Sequence, residues 1–112
     1  MNQMIVIGNL TKDPEMKYSP KGIAVTKFGV ATNAGRDRKA EFHNVVVFGQ
    51  EGKDGIAGSC AQYLKKGSKV CVVGEHQTQE YEGQDGSKRR SCQIVARQVE
   101  FLSQKEKVEE GE

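Results

Sequence analysis

The stretch Glu41-Phe-His-Asn-Val-Val-Val-Phe-Gly49 decides how the rest of the chain is read. Its β-branched and aromatic residues end at a glycine and lie between charged, glycine-bearing segments, which is the pattern of a β-strand. Side chains alternate across a strand, so Phe42, Asn44, Val46 and Phe48 share one face, and His43, Val45 and Val47 the other. Both faces carry apolar groups, so at least one meets something other than water. If Val45 and Val47 fill the core, Phe42 and Phe48 point outward, about 20 Å apart at roughly 3.3 Å per residue. Two outward rings beside a basic segment form a platform on which unpaired bases can stack. A second core or a subunit contact accounts for the same rings, and this strand alone favours that plainer reading.

Working outward, the segment before it, Asn33 to Ala40, is polar and gathers Arg36, Arg38 and Lys39 around Gly35, as a loop between two strands does. Ile23 to Asn33 reads as the preceding strand, with Phe28 and Val30 toward the core and Lys27 outward. Met4 to Leu10 opens the chain as a strand that continues through Thr11. Asp13-Pro14 breaks it, because proline cannot donate to a ladder and restricts the residue before it. Tyr18 to Gly22 is a turn by composition.

On the other side, Gln50 to Gly58 is a glycine-rich loop. Ile56, Ala57, Cys60, Ala61 and Leu64 then recur at spacings of three and four, which suits one face of a short helix. Lys65-Lys66-Gly67 closes it with cations at the dipole's negative end and a glycine after them. Lys69 to Tyr81 and Lys88 to Ala96 are strands joined by a tip containing Asp85-Gly86. Val99 and Phe101 end the ordered body. The expected fold is all-β: a five-stranded barrel with one short α-helix between strands 3 and 4, the element order of the oligonucleotide/oligosaccharide-binding (OB) type. Periodicity alone fits other small β folds; the helix position is the more telling feature.

At 112 residues the chain is one domain. It divides into a body, 1–102, and a polar, acidic tail, 103–112, expected to be disordered. The formal charge of +2 hides an asymmetry, since the tail holds four acids against two bases. The body therefore has 15 basic and 11 acidic residues, a net of +4. A basic body points weakly to a polyanionic partner. No apolar run approaches the ~18 residues that span a bilayer, and the first residues lack a signal peptide's basic segment. A cytosolic protein without membrane contact is expected. Cys60, Cys71 and Cys92 are odd in number and far apart, and are most simply buried small hydrophobes.

The residue sets that reactions require are not assembled. Gly49 to Lys53 has the wrong glycine spacing for a phosphate-binding loop, and Asp54 stands where a hydroxyl should hold magnesium. Ser59 lacks the frame of a nucleophile elbow. His43 and His76 have no Cys or carboxylate at ligand spacing, so no metal and no cofactor are expected. A binding surface fares better: Phe42, Phe48 and Tyr81 lie on the strands flanking the helix, while Phe28, Tyr63 and Phe101 fit core or helix packing. Basic residues gather at Arg36, Arg38 and Lys39 and again at Lys88, Arg89 and Arg90. Basic loops around a ring-bearing sheet suit a phosphate backbone with stacked bases. Each basic cluster taken singly is equally well a solvated loop.

Five phrases taken in order go further: Ile5 to Glu15, Tyr18 to Gly22, Phe28 to Asn33, Glu41 to Gly49 and Tyr63 to Ser68. Together they resemble the bacterial single-stranded DNA-binding proteins from Met1 to Leu102. The resemblance implies a homotetramer that binds single-stranded DNA without sequence preference, in replication, recombination and repair at the nucleoid. It assigns base stacking to Phe42, Phe48 and Tyr81. A further aromatic position of the family falls at Arg36, whose guanidinium plane can itself stack. Arg38, Lys39, Lys66, Lys88 and Arg89 complete the expected DNA contacts. His43 corresponds to a histidine near subunit contacts. Members of the family usually continue into a long linker and an acidic tip ending in proline and phenylalanine that recruits replication and repair enzymes. Ser103 to Glu112 has glutamates but no such ending, so the resemblance leaves recruitment of those proteins open. A related barrel that holds a primosome-type protein assembly together is the alternative.

Overall fold

A computed structural model describes residues 1–32, 39–50 and 52–102. Its elements are β1 (Met4–Leu10), β2 (Glu15–Tyr18), β3 (Ala24–Thr32), β4 (Glu41–Phe48), α1 (Gly55–Tyr63), β5 (Lys69–Glu82) and β6 (Lys88–Phe101). The strands neighbour one another in the order β1-β5-β6-β4-β3-β2, and β1 also pairs with β3. That last pairing closes β1, β5, β6, β4 and β3 into a barrel of five, with the helix between its third and fourth strands. The expected tail, 103–112, lies outside the described residues, as do Arg36 and Arg38.

Closure depends on how β3 shares one edge. Ala24–Lys27 pair with β2, while Val30 and Ala31 pair with Leu10 and Asn9 of β1. For β1 to cross there, Gly8 must pass against β3, and a Cβ at Gly8 would run into the Ala31 carbonyl. Glycine is the residue that permits such close backbone approach. β2 was not evident as a strand in the sequence: it is four residues long, follows a proline and exists only through its ladder with β3.

Inside the barrel, alternate residues of each strand meet. Val6 and Leu10, Phe28 and Val30, Val45 and Val47, Val70 and Val72, and Ile94 form one buried cluster. Burying each aliphatic side chain stabilises the fold by roughly 1.5–3 kcal/mol. The helix plugs one end with Ala57, Cys60 and Leu64, all buried. Thr26, also fully buried, satisfies its hydroxyl by donating to the Ala57 carbonyl oxygen at 2.7 Å, which ties β3 to the plug. The helix ends at Tyr63 and Leu64 is already extended, so Lys65 and Lys66 lie beyond the last turn rather than within it. Gly67, with φ +91°, turns the chain back so that its N–H donates to the Leu10 carbonyl at 2.9 Å.

One expectation about packing needs correction. Of the cysteines only Cys60 is buried; Cys71 is half-buried and Cys92 exposed. Cys92 has the core parity of Ile94, but at its position the β5–β6 ladder has already left the barrel. Tyr63, the last helix residue, packs on Phe101, ring centroids 6.5 Å apart at 53°; this is the helix-packing alternative, on the outer surface of the barrel. β6 runs five residues past its expected end at Ala96, to Phe101, while β5 matches its expected span to within one residue. Beyond Gly74, where the ladder register shifts, they form a two-stranded arm whose residues from His76 to Glu82 and from Gln84 to Cys92 are exposed.

Candidate nucleic-acid interface

β4 carries the two faces its alternation requires. Val45 and Val47 are buried in the barrel, and Phe42 and Phe48 stand outside with 72% and 50% of their surface exposed. Val46 lies between the rings on the same face but is itself buried, flanked by its register partners Lys27 on β3 and Val95 on β6. Exposed rings that share one contiguous sheet face point to a ligand or a partner.

The register extends this face across the sheet. Residues opposite one another in a ladder share a face, so the outward set runs from Val46 to Val95 and from there to Glu75. Along the arm it continues through the pairs Gln77/Gln93, Gln79/Ser91 and Tyr81/Arg89. Tyr81, 52% exposed, is thus on the same twisted surface as Phe42 and Phe48. Phe48 sits at the end near β2, opposite Val25, whereas Phe42 sits toward the arm. Between them a groove of about 370 Å³ crosses the strands, bordered by Thr11, Lys12 and Asp13 at one side and by Ser91, Cys92 and Gln93 at the other. Gly29 opposes Asn44, and its missing side chain makes room for Thr11, whose hydroxyl a Cβ at Gly29 would meet.

The basic residues divide. Lys39 is exposed just before β4; Lys66 is exposed after the helix, and its backbone N–H donates at 2.9 Å to Oδ1 of Asp13, a groove residue. Arg89 shares the face of Tyr81, and its guanidinium lies 3.7 Å from Asp85. The Ser87 hydroxyl and N–H donate to that carboxylate at 2.7 and 3.1 Å, and with Arg89 nearby they hold Asp85 below the usual carboxylate range. Lys88, opposite Glu82, has the other parity and lies on the far side of the arm from the rings, as does Arg90. Sequence reasoning did not single out Lys12, Lys17, Ser91 or Gln93 for this surface, whereas the parity of β4 had already placed Asn44 on it. Lys17 was hidden because β2 was; parity within β6 is the signal that could have found Ser91 and Gln93.

No chemistry is assembled besides these contacts. Among the described residues no group of three or more His, Cys, Asp or Glu could hold a metal ion. His43 is half-buried with Nε2 3.3 Å from the Thr32 hydroxyl, and the His76 backbone exchanges two hydrogen bonds with the Asn2 side chain. Burial pushes the Cys60 thiol up to about 11. No described helix is long and apolar enough to cross a membrane.

A closed five-stranded barrel with its helix after the third strand, and rings exposed on the adjoining sheet face, is the OB-fold class of binding protein. Within that class, the single-strand binding protein family matches residues 1–102, and the chain belongs to it. It is 41% identical over 107 residues to the single-stranded DNA-binding protein of Bacillus cereus, covering 91% of this chain and 60% of that protein. It is 40% identical over 116 aligned positions to single-stranded DNA-binding protein 2 of Listeria monocytogenes, covering 99% and 69%. For the single-stranded DNA-binding protein of Xanthomonas campestris the identity is 42% over 109 residues, covering 91% and 60%. The chain thus spans about 60% of the length of the first of these relatives.

Proposed function

We propose that this chain binds single-stranded DNA without sequence preference and protects it during replication, recombination and repair. Carrying this reading are the two exposed rings of one strand, Phe42 and Phe48, on a face that Tyr81 extends. Every base has a π-face, so stacking tolerates any sequence, and each stacked base contributes roughly 1–3 kcal/mol. Lys39, Lys66 and Arg89, with Arg36 and Arg38 of the neighbouring segment, supply phosphate contacts; Lys88 on the far side of the arm serves a strand only if it wraps around the tip. Fluorescence anisotropy with labelled oligothymidine tests the reading. Phe42→Ala and Phe48→Ala each weaken binding about 5- to 150-fold, the equivalent of one stacked base, with unchanged circular dichroism. Wild-type affinity in both variants removes the stacking claim.

A second observation bears on assembly. Ile5 and Ile7 are 59% and 53% exposed on β1, and over Met4–Gly8 that strand has β5 as its only strand partner among the described residues. An apolar strand with a free edge invites pairing with another chain, which supports the homotetramer. The same surface is what a protein-assembly module of the primosome type would use. Light scattering during the oligothymidine titration separates the two, because the assembly module would show partners or oligomers with negligible affinity for DNA.

A further inference from the structure

We infer that Lys27 is the phosphate anchor that fixes where the DNA strand crosses the sheet, an assignment resting on the proposed single-stranded DNA binding. Its position singles it out. It is exposed on β3 directly opposite Val46, so it stands between the two rings, two residues along from the level of Phe48 and four from that of Phe42. Lys27 also joins two depressions. One is the groove between the rings; the other, of about 290 Å³, continues over β2 past Lys17 to Tyr18. Both are bordered by Lys27 and Glu15: the first crosses the strands from Lys12 toward β6, the second runs along β2 and β3 past Lys17, and the two form a bent path that meets at Lys27.

Among the described residues, Lys27 forms no ion pair, although Glu15 is its register partner on β2. An unpaired ammonium between two stacking rings is placed to hold the backbone while bases on either side reach Phe48 and Phe42. The carboxylate of Glu15 borders the same path and opposes a phosphate there, so it limits affinity and keeps the strand toward Lys27.

The test compares Lys27→Gln, Lys27→Arg and Glu15→Gln with wild type by oligothymidine anisotropy at several salt concentrations. Lys27→Gln reduces the magnitude of the log–log salt slope by about 0.7, the value for one neutralised phosphate on a single strand. Lys27→Arg keeps the slope, and Glu15→Gln raises affinity roughly two- to fivefold at low salt. Phe42→Ala lowers affinity without changing the slope. A wild-type slope in Lys27→Gln, with wild-type binding intact, overturns the anchor and leaves the stacking reading standing. A wild-type chain that does not bind oligothymidine overturns both.

Discussion

The barrel and the arm are made from the same two strands and behave oppositely. In β5, Val70 and Val72 are fully buried at one end, while the seven residues from His76 to Glu82 are all exposed. β6 mirrors it, with Ile94 buried and Lys88 to Cys92 exposed. The difference is what lies underneath. Within the barrel β5 lies between β1 and β6, and β6 between β5 and β4, with a core below; the arm has only its own ladder, and an isolated two-stranded hairpin is at best marginally stable in water. Stability is therefore concentrated in the body. The surface proposed to bind DNA spans both regions, since Phe42 and Phe48 belong to the rigid part and Tyr81 and Arg89 to the loose one.

Core and arm respond differently to the loss of one side chain. Ile94→Ala removes a side chain 2% exposed at the centre of the barrel and destabilises the fold by about 2–5 kcal/mol. Gln79→Ala, on the arm, changes it by less than about 0.5 kcal/mol. Urea denaturation of both variants measures the contrast, and equal losses would mean that the arm is part of the cooperative core.

A second contrast uses acidity. Cys60, under the helix, has its thiol raised from 9.0 to about 11 by burial, whereas Cys92 on the arm is exposed. A folded-state pKa above the unfolded one favours the folded protein below pH 9 and loses that contribution as pH rises through 11. The loss is of the order of 2–3 kcal/mol, and Cys60→Ala abolishes it. Iodoacetamide at pH 8 with mass spectrometry checks the same contrast directly: Cys92 is alkylated in the folded protein and Cys60 is not. Rapid labelling of Cys60 would show that the helix opens independently of the barrel.

How much of this was legible in the sequence follows the same division. The parity of β4 was readable, because a period of two assigns each side chain to a face wherever one face is buried; Phe42, Phe48, Val45 and Val47 fall as that rule requires. Parity gives direction without saying whether a core lies in that direction. Cys92 shares the parity of Ile94 yet is exposed, because two residues along β6 the barrel has ended. Non-local events were not legible either. β2 is defined by its ladder to β3, and Gly8 matters only because β1 meets the Ala31 carbonyl. The groove passing Lys12, Lys17 and Lys27 is a product of those same pairings, so no single stretch of sequence contains it.

The smallest effect is the most discriminating about the arm itself. Its tip closes through a Gly86 N–H to Gly83 carbonyl bond of 3.0 Å and a Gly83 N–H to Ser87 carbonyl bond of 2.7 Å. Gly86 sits there at φ +84°, the left-handed region a three-residue hairpin loop requires. Gly86→Ala places a Cβ in that conformation at a cost of roughly 1–2 kcal/mol. If the arm opens independently, this cost appears locally. Amide exchange of the Tyr81/Arg89 ladder accelerates about 5- to 30-fold, as a 1–2 kcal/mol local cost implies, while the urea midpoint of the barrel does not move. A shifted midpoint with unchanged arm exchange would reverse the argument, tying the loose half of the surface to the core.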